Sequence, residues 1–140
     1  MLNFRRTVEI GFGDCDASGL LHTERYFALF DGNIWMMLAR VLEVPVQHLM
    51  KTFGAAGFPT VNLTGKFLTP SALGDVLEVE STIIEMRRSS FNVRHRARKD
   101  GELRAESLDT RVWVRRSADD PGKIEPLPLP PELVDRFRAG

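Results

Sequence analysis

At 140 residues with 43% hydrophobic content, the chain can build one sizeable core, and a single domain over residues 1–140 is expected. Nineteen basic residues balance nineteen acidic ones, so no net field draws the protein to nucleic acid or an anionic membrane, and any anion site must be local. The single cysteine, Cys15, excludes an intramolecular disulfide and the multi-cysteine zinc patterns; with no apolar leader or membrane-length segment, a soluble cytoplasmic protein is expected.

Residues 4–10 alternate partly in polarity and stop at Gly11 and Gly13, which reads as a first strand ending in a flexible loop. From Thr23 the period changes. Phe27, Phe30, Ile34, Met37 or Leu38, and Val41 recur at helical spacing, with Tyr26, Leu29, Trp35 and Met36 widening the apolar surface, so the spacing predicts a helix buried on most of its circumference. Thr23 is the expected N-cap, Glu24 suits the positive end of the helix dipole, and Gly32 marks a close backbone approach. Pro45 ends the segment, and residues 46–57 read as a short helix or loop.

Beyond them the chain is strand-like. Residues 59–69 lie between prolines, and 76–86 place Leu77, Val79 and Ile83 on one face. In 89–98, Phe91, Val93, His95 and Ala97 share one face, and Asn92, Arg94, Arg96 and Arg98 the other. Asp100-Gly101 supplies a type I′ hairpin turn, with a return strand over about 102–115. The proline-rich stretch 117–131 is expected to be irregular, and the last nine residues to form a frayed helix. These elements predict an α+β arrangement in which an antiparallel sheet wraps one long helix, with dimerisation covering the rest of that helix.

Reactive groups gather where the Gly- and Asp-rich loop runs into the helix. Asp14 and Asp16, one residue apart, point opposite ways in an extended segment, so one faces a site and the other the loop backbone; turn residues making local hydrogen bonds are the alternative. His22 could orient substrate or simply pack at the helix start, and a metal site from Asp14, Asp16 and His22 matches no strong ligand pattern. Cys15 between two aspartates reads as a packing residue. Free backbone N–H groups at Thr23 and Glu24 can polarise a carbonyl oxygen, and a carboxylate opposite them could attack an activated acyl group or direct water at it. Arg87 and Arg88, followed by Ser89 and Ser90, suit phosphates, with a solvated strand face as the alternative.

The stretch GDCDASGLLHTERYFALFD resembles the signature of the hotdog-fold acyl-CoA thioesterases, most closely the 4-hydroxybenzoyl-CoA thioesterase type; GDVLEVE and RRSSFNVRH extend the likeness to about residue 116. The resemblance implies a hotdog fold and hydrolysis of a CoA thioester. It assigns Asp16 as the catalytic carboxylate, the Thr23 N–H as the carbonyl-polarising group, Asp31 as a carboxylate near the acyl ring, and Arg87, Arg88 and Ser90 as the region meeting the CoA phosphates. Val46 and Phe58 stand where the family member compared has an aromatic residue and a threonine, two differences at the acyl pocket that bear on which aromatic group fits. His22 precedes the position that holds a histidine in the related Tol-Pal-associated thioesterases, and its role stays open. The resemblance also implies homodimers, commonly paired into homotetramers, with sites between subunits, and no cofactor beyond the coenzyme A of the substrate. Alternatives are a short-chain aliphatic acyl-CoA thioesterase, a hotdog hydratase or dehydratase using His22 and a carboxylate, and a non-catalytic acyl-CoA binding module.

Overall fold

The computed structural model describes residues 2–140. Its elements, in chain order, are β1 (Asn3–Glu9), α1 (Thr23–Leu42), α2 (Leu49–Thr52), β2 (Thr60–Phe67), β3 (Val76–Met86), β4 (Ser90–Lys99), β5 (Glu102–Val112), β6 (Val114–Arg116), β7 (Ile124–Pro126) and α3 (Pro131–Ala139). Single 3₁₀ turns, Phe12–Asp14 and Val46–His48, precede α1 and α2.

Five strands form one antiparallel sheet in the order β1-β3-β4-β5-β2. The period-2 alternation of β4 decides which face is the core face: Phe91, Val93, His95 and Ala97 are fully buried while Asn92, Arg94, Arg96 and Arg98 point outward and are half-buried. Asp100 and Gly101 both take positive φ, 50° and 81°, as the predicted type I′ turn requires. Against this face lies α1, burying Tyr26, Phe30, Ile34, Met37, Leu38 and Leu42.

The helix is buried along one stripe, not around most of its circumference: Met36 is exposed, and Phe27, Leu29 and Trp35 are only partly covered. Asn33, among the buried helix residues, donates from Nδ2 to Val79 O and Ser81 Oγ and accepts from Arg6 Nε, so its amide is satisfied within the core. The same Arg6 lies over Gly32, where a Cβ would sit 3.1 Å from its Nη2. That is the close approach the glycine signalled.

Four further sequence expectations change. The N-cap of α1 is His22, with no side-chain cap, and Thr23 is the first helical residue. The expected return strand breaks at Trp113 into β5 and β6. Within the proline-rich stretch, Ile124–Pro126 pairs with β6, because Pro126 falls at the ladder end, where a missing N–H costs little. The C-terminal helix α3 is anchored, not frayed: Leu133 is fully buried and Leu129, just before it, donates its N–H to Arg88 O at 2.9 Å.

Candidate active site at the start of α1

The loop 11–22 is tied down by its own aspartates, and the two do diverge. Asp14 Oδ2 accepts from Gly11 N, and its Oδ1 accepts from Arg25 Nε at 3.0 Å and Nη2 at 2.7 Å, so Asp14 is a strut between the loop and the first turn of α1. Asp16 turns the other way. Its Oδ1 accepts from Ser18 N, Ser18 Oγ and Leu20 N, while Oδ2 has no protein donor among the described residues. The Ser18 hydroxyl, with the Ser18 and Leu20 N–H groups and His22 adding to it against desolvation, holds the Asp16 carboxyl below the usual carboxylate range.

A cleft of about 230 Å³ opens here, lined by Asp16, Leu20, Thr23, Tyr26, Phe67 and Ser71 among others. Tyr26 Oη and Ser71 Oγ, 2.8 Å apart and buried, lock the helix to the cleft wall. As the first helical residue, Thr23 has a backbone N–H with no intrahelical acceptor, and it sits at the positive end of the helix dipole. The cleft is therefore lined both by the carboxylate residue Asp16 and by Thr23, the first residue of the helix. His22 does not line it; its Nδ1 lies 3.5 Å from Glu24 Oε1 on the exposed surface. Burial, then Asp14 and Asp16, push the Cys15 thiol up, which disfavours the thiolate. No group of three or more His, Cys, Asp or Glu that could hold a metal exists among the described residues.

Asp31 lies about two helical turns further along α1, roughly 12 Å by helical rise, in a different cleft. This one measures about 430 Å³, and its walls include Asp31, Trp35, Phe58, Arg111, Val114 and Ile124. Trp35 and Phe58 meet with ring centroids 4.4 Å apart, and Phe58 stacks on buried Trp113. Phe58 lines the cleft that holds Asp31, whereas Val46 is exposed on the 3₁₀ turn before α2 and does not.

Sequence reading missed the residue that organises this cleft. Arg111 Nη1 donates to Asp31 Oδ1 at 2.8 Å and to Phe58 O, while Nε and Nη2 hold Asp109 at 2.9 Å. Burial works against its charge, but Asp109 and Asp31 prevail and raise its pKa. Behind it Asp109 lies 3.4 Å from His95 Nε2, and His95 Nδ1 lies 2.6 Å from Ser81 Oγ. The available signal was the inward face of β5, where Ala105, Ser107, Asp109 and Arg111 alternate with outward residues and put opposite charges two positions apart.

The predicted phosphate residues are not equivalent. Arg87 is committed: Nε donates to Ser90 Oγ, Nη2 to Asn92 Oδ1, and Nη1 lies 2.8 Å from Glu85 Oε1. Arg88 makes no side-chain bond or ion pair among the described residues.

Residues 10–137 match the family model described as the Thioesterase-like superfamily. The chain belongs to that superfamily. A 4-hydroxybenzoyl-CoA thioesterase of Pseudomonas sp. (strain CBS-3) is 25% identical over 131 residues, covering 90% of this chain and 91% of the relative. An acyl-CoA thioester hydrolase of Escherichia coli, YbgC, is 29% identical over 136 residues and covers 96% of each chain. The solved structure of the Pseudomonas enzyme superposes with a TM-score of 0.85 at 23% identity, covering 96% of this chain and 99% of that one, and shares its hotdog fold. A gentisyl-coenzyme A thioesterase superposes with a TM-score of 0.80 at 25% identity over 94% of this chain and 99% of that one. This superfamily member is a thioester hydrolase, and no helix among its described residues is long and apolar enough to cross a membrane.

Proposed function

We propose that the protein hydrolyses an aromatic acyl-CoA to the free acid and coenzyme A, with Asp16 as nucleophile and the Thr23 N–H as oxyanion donor. The observation that carries this is the shared cleft: Asp16, whose Oδ2 has no protein donor among the described residues, and Thr23, whose N–H opens α1, line it together. In the proposed step Asp16 Oδ2 forms a bond to the thioester carbonyl carbon, the C–S bond breaks, and the thiolate of coenzyme A leaves. Water then hydrolyses the resulting mixed anhydride and restores the carboxylate. A carboxyl held below its usual range is ionised at neutral pH, as a nucleophile must be, and is a correspondingly weak general base. No metal or further cofactor enters the scheme.

The aromatic reading is supported by the likeness to the 4-hydroxybenzoyl-CoA thioesterase. The ring of an aroyl group is bonded directly to the carbonyl carbon, so the Asp31 cleft, where Trp35 and Phe58 meet at 45° beside one carboxylate, serves the ring in this reading only where a second copy brings it against Asp16. Two copies of the chain complete the site in this reading. Every residue of β2 is exposed, Val61, Leu63 and Phe67 among them, and its outer edge pairs with no strand among the described residues, so a second β2 would extend the sheet and bring a partner's helix to the cleft. Hydrolysis of a panel of aroyl- and alkyl-CoAs, followed as free thiol, tests the substrate class; preference for alkyl chains would refute the aromatic reading. Asp16→Asn is expected to lower kcat by at least about 100-fold, and full activity in the folded variant would remove Asp16 from the mechanism.

A further inference from the structure

Ser18, two residues after Asp16, carries the only hydroxyl in the loop 11–22. Backbone bonds close the turn without it: Gly19 N donates to Asp16 O at 3.0 Å, Asp16 N donates to Leu20 O at 2.8 Å, and Gly19 supplies the positive φ, 82°, at the corner. Asp16 Oδ1 also accepts from Ser18 N at 2.8 Å and Leu20 N at 3.2 Å, two donors that any residue except proline would provide. The third donor, Ser18 Oγ, is the one that depends on the side chain at position 18. Serine is common in turns, which accounts for its presence here but not for the aim of its hydroxyl.

The carboxylate sets that aim. An ionised Asp16 can only accept, so Ser18 Oγ donates to it, and three donors on Oδ1 fully occupy the lone pairs of that oxygen. Oδ2 has no donor among the described residues, so the two oxygens of one carboxylate are inequivalent. Ser18 itself is exposed and does not line the cleft that Asp16 and Thr23 line, so it bears on a bound acyl group only through Asp16. Its hydroxyl is also the largest influence holding the Asp16 carboxyl below the usual carboxylate range.

We infer that Ser18 is a positioning residue for Asp16: its hydroxyl commits Oδ1, leaves Oδ2 as the oxygen that reacts, and steadies the carboxylate when it departs. The inference rests on the nucleophilic reading above. When Oδ2 bonds to the acyl carbon and the thiolate leaves, Asp16 loses its charge and its three donors face a neutral carbonyl. Water then attacks the acyl carbon, the bond from that carbon to Oδ2 breaks, and the electron pair returns to Asp16. One water proton goes to the thiolate of coenzyme A, and the other stays with the acid until solvent takes it. The returning charge meets the same three donors, whose charge-assisted bonds make Asp16 a better leaving group. Those bonds temper Oδ2 as a nucleophile in the first half of the reaction, so Ser18 contributes orientation there and departure afterwards.

The test compares wild type with Ser18→Ala and Ser18→Thr, the backbone at position 18 lying outside the positive-φ region that a branched side chain avoids. With an aroyl-CoA as substrate, Ser18→Ala is expected to lower kcat about tenfold, as for loss of one hydrogen bond to a charged group. KM should not rise, and the acid limb of kcat/KM should move to higher pH. Ser18→Thr, which keeps the hydroxyl, should restore both. Carbon NMR of aspartate-labelled protein, with the Asp16 signal identified by its loss in Asp16→Asn, should give a higher titration midpoint in Ser18→Ala than in wild type. Equal kcat in wild type and Ser18→Ala, a raised KM, an unmoved Asp16 titration, or a Ser18→Thr variant as impaired as Ser18→Ala would each overturn the inference. Turnover by the wild type with any of these results keeps the proposed function and removes the role of Ser18; a wild type that cleaves no thioester removes both.

Discussion

Removing Arg111 tests whether the buried ion network beneath the Asp31 cleft is coupled as its geometry indicates. Arg111→Met deletes the bonds to Asp109 and Asp31 and a longer one, 3.3 Å, to Phe58 O. Asp31, its side chain 46% exposed, is resolvated at little cost, and the Phe58 carbonyl loses at most about 1 kcal/mol. Asp109 decides the outcome. Its side chain is 2% exposed, and it keeps only the Thr60 hydroxyl at 3.1 Å and the neutral His95 ring at 3.4 Å. A carboxylate stranded in this way costs about 3–5 kcal/mol. Adding Asp109→Asn removes the stranded charge, so the double variant is expected to be more stable than Arg111→Met alone. Urea denaturation followed by the fluorescence of Trp35 and Trp113, at one fixed protein concentration, measures all four corners of the cycle. The reasoning fails if Arg111→Met costs less than about 1 kcal/mol, or if the double variant is the less stable of the two.

Two further outcomes follow from the site and the network. Thr23→Pro removes the N–H that the mechanism uses while leaving a helix start that accepts proline, because His22 already has φ −59° and ψ 134°, the extended geometry favoured before proline; circular dichroism should be preserved while kcat falls about 10²–10³-fold, and an active variant would dismiss this donor. Burial holds His95 below the ordinary imidazole value of about 6.5, with Asp109 opposing. Below that value the unfolded chain binds a proton the folded one refuses, so this contribution to stability is complete above about pH 6.5 and is lost as pH falls from there through the depressed folded value. The urea midpoint should drop between pH 7 and pH 5.5, with a flatter slope in His95→Gln; an identical slope in that variant would show that His95 is not the titrating group.

What the sequence revealed follows from how local each cause is. The strand β4 and its hairpin were legible because alternation and an Asp-Gly turn act over a few residues. The helix start was displaced by one residue, since His22 caps nothing with its side chain and only the backbone marks the boundary. β7 was missed because its ladder partner, not its composition, makes it a strand. Arg111 was missed for a related reason: a charged residue on an inward strand face becomes intelligible only once Asp31, far away in sequence, is seen to meet it. The inequivalence of Arg87 and Arg88 is likewise tertiary, resting on Glu85 and Asn92 across the turn.

The spacing of groups along α1 has a bearing on how such proteins diverge. Asp16 and Thr23 belong to the loop and first turn, whereas Asp31, Trp35 and Phe58 belong to a different cleft further along the rod. Under the proposed scheme, substitutions can recut the walls of the Asp31 cleft, residue by residue, without disturbing the turn that carries Asp16 and Thr23. The two sets share one rigid axle, α1, and little else, so a change in the walls of one cleft leaves the other intact.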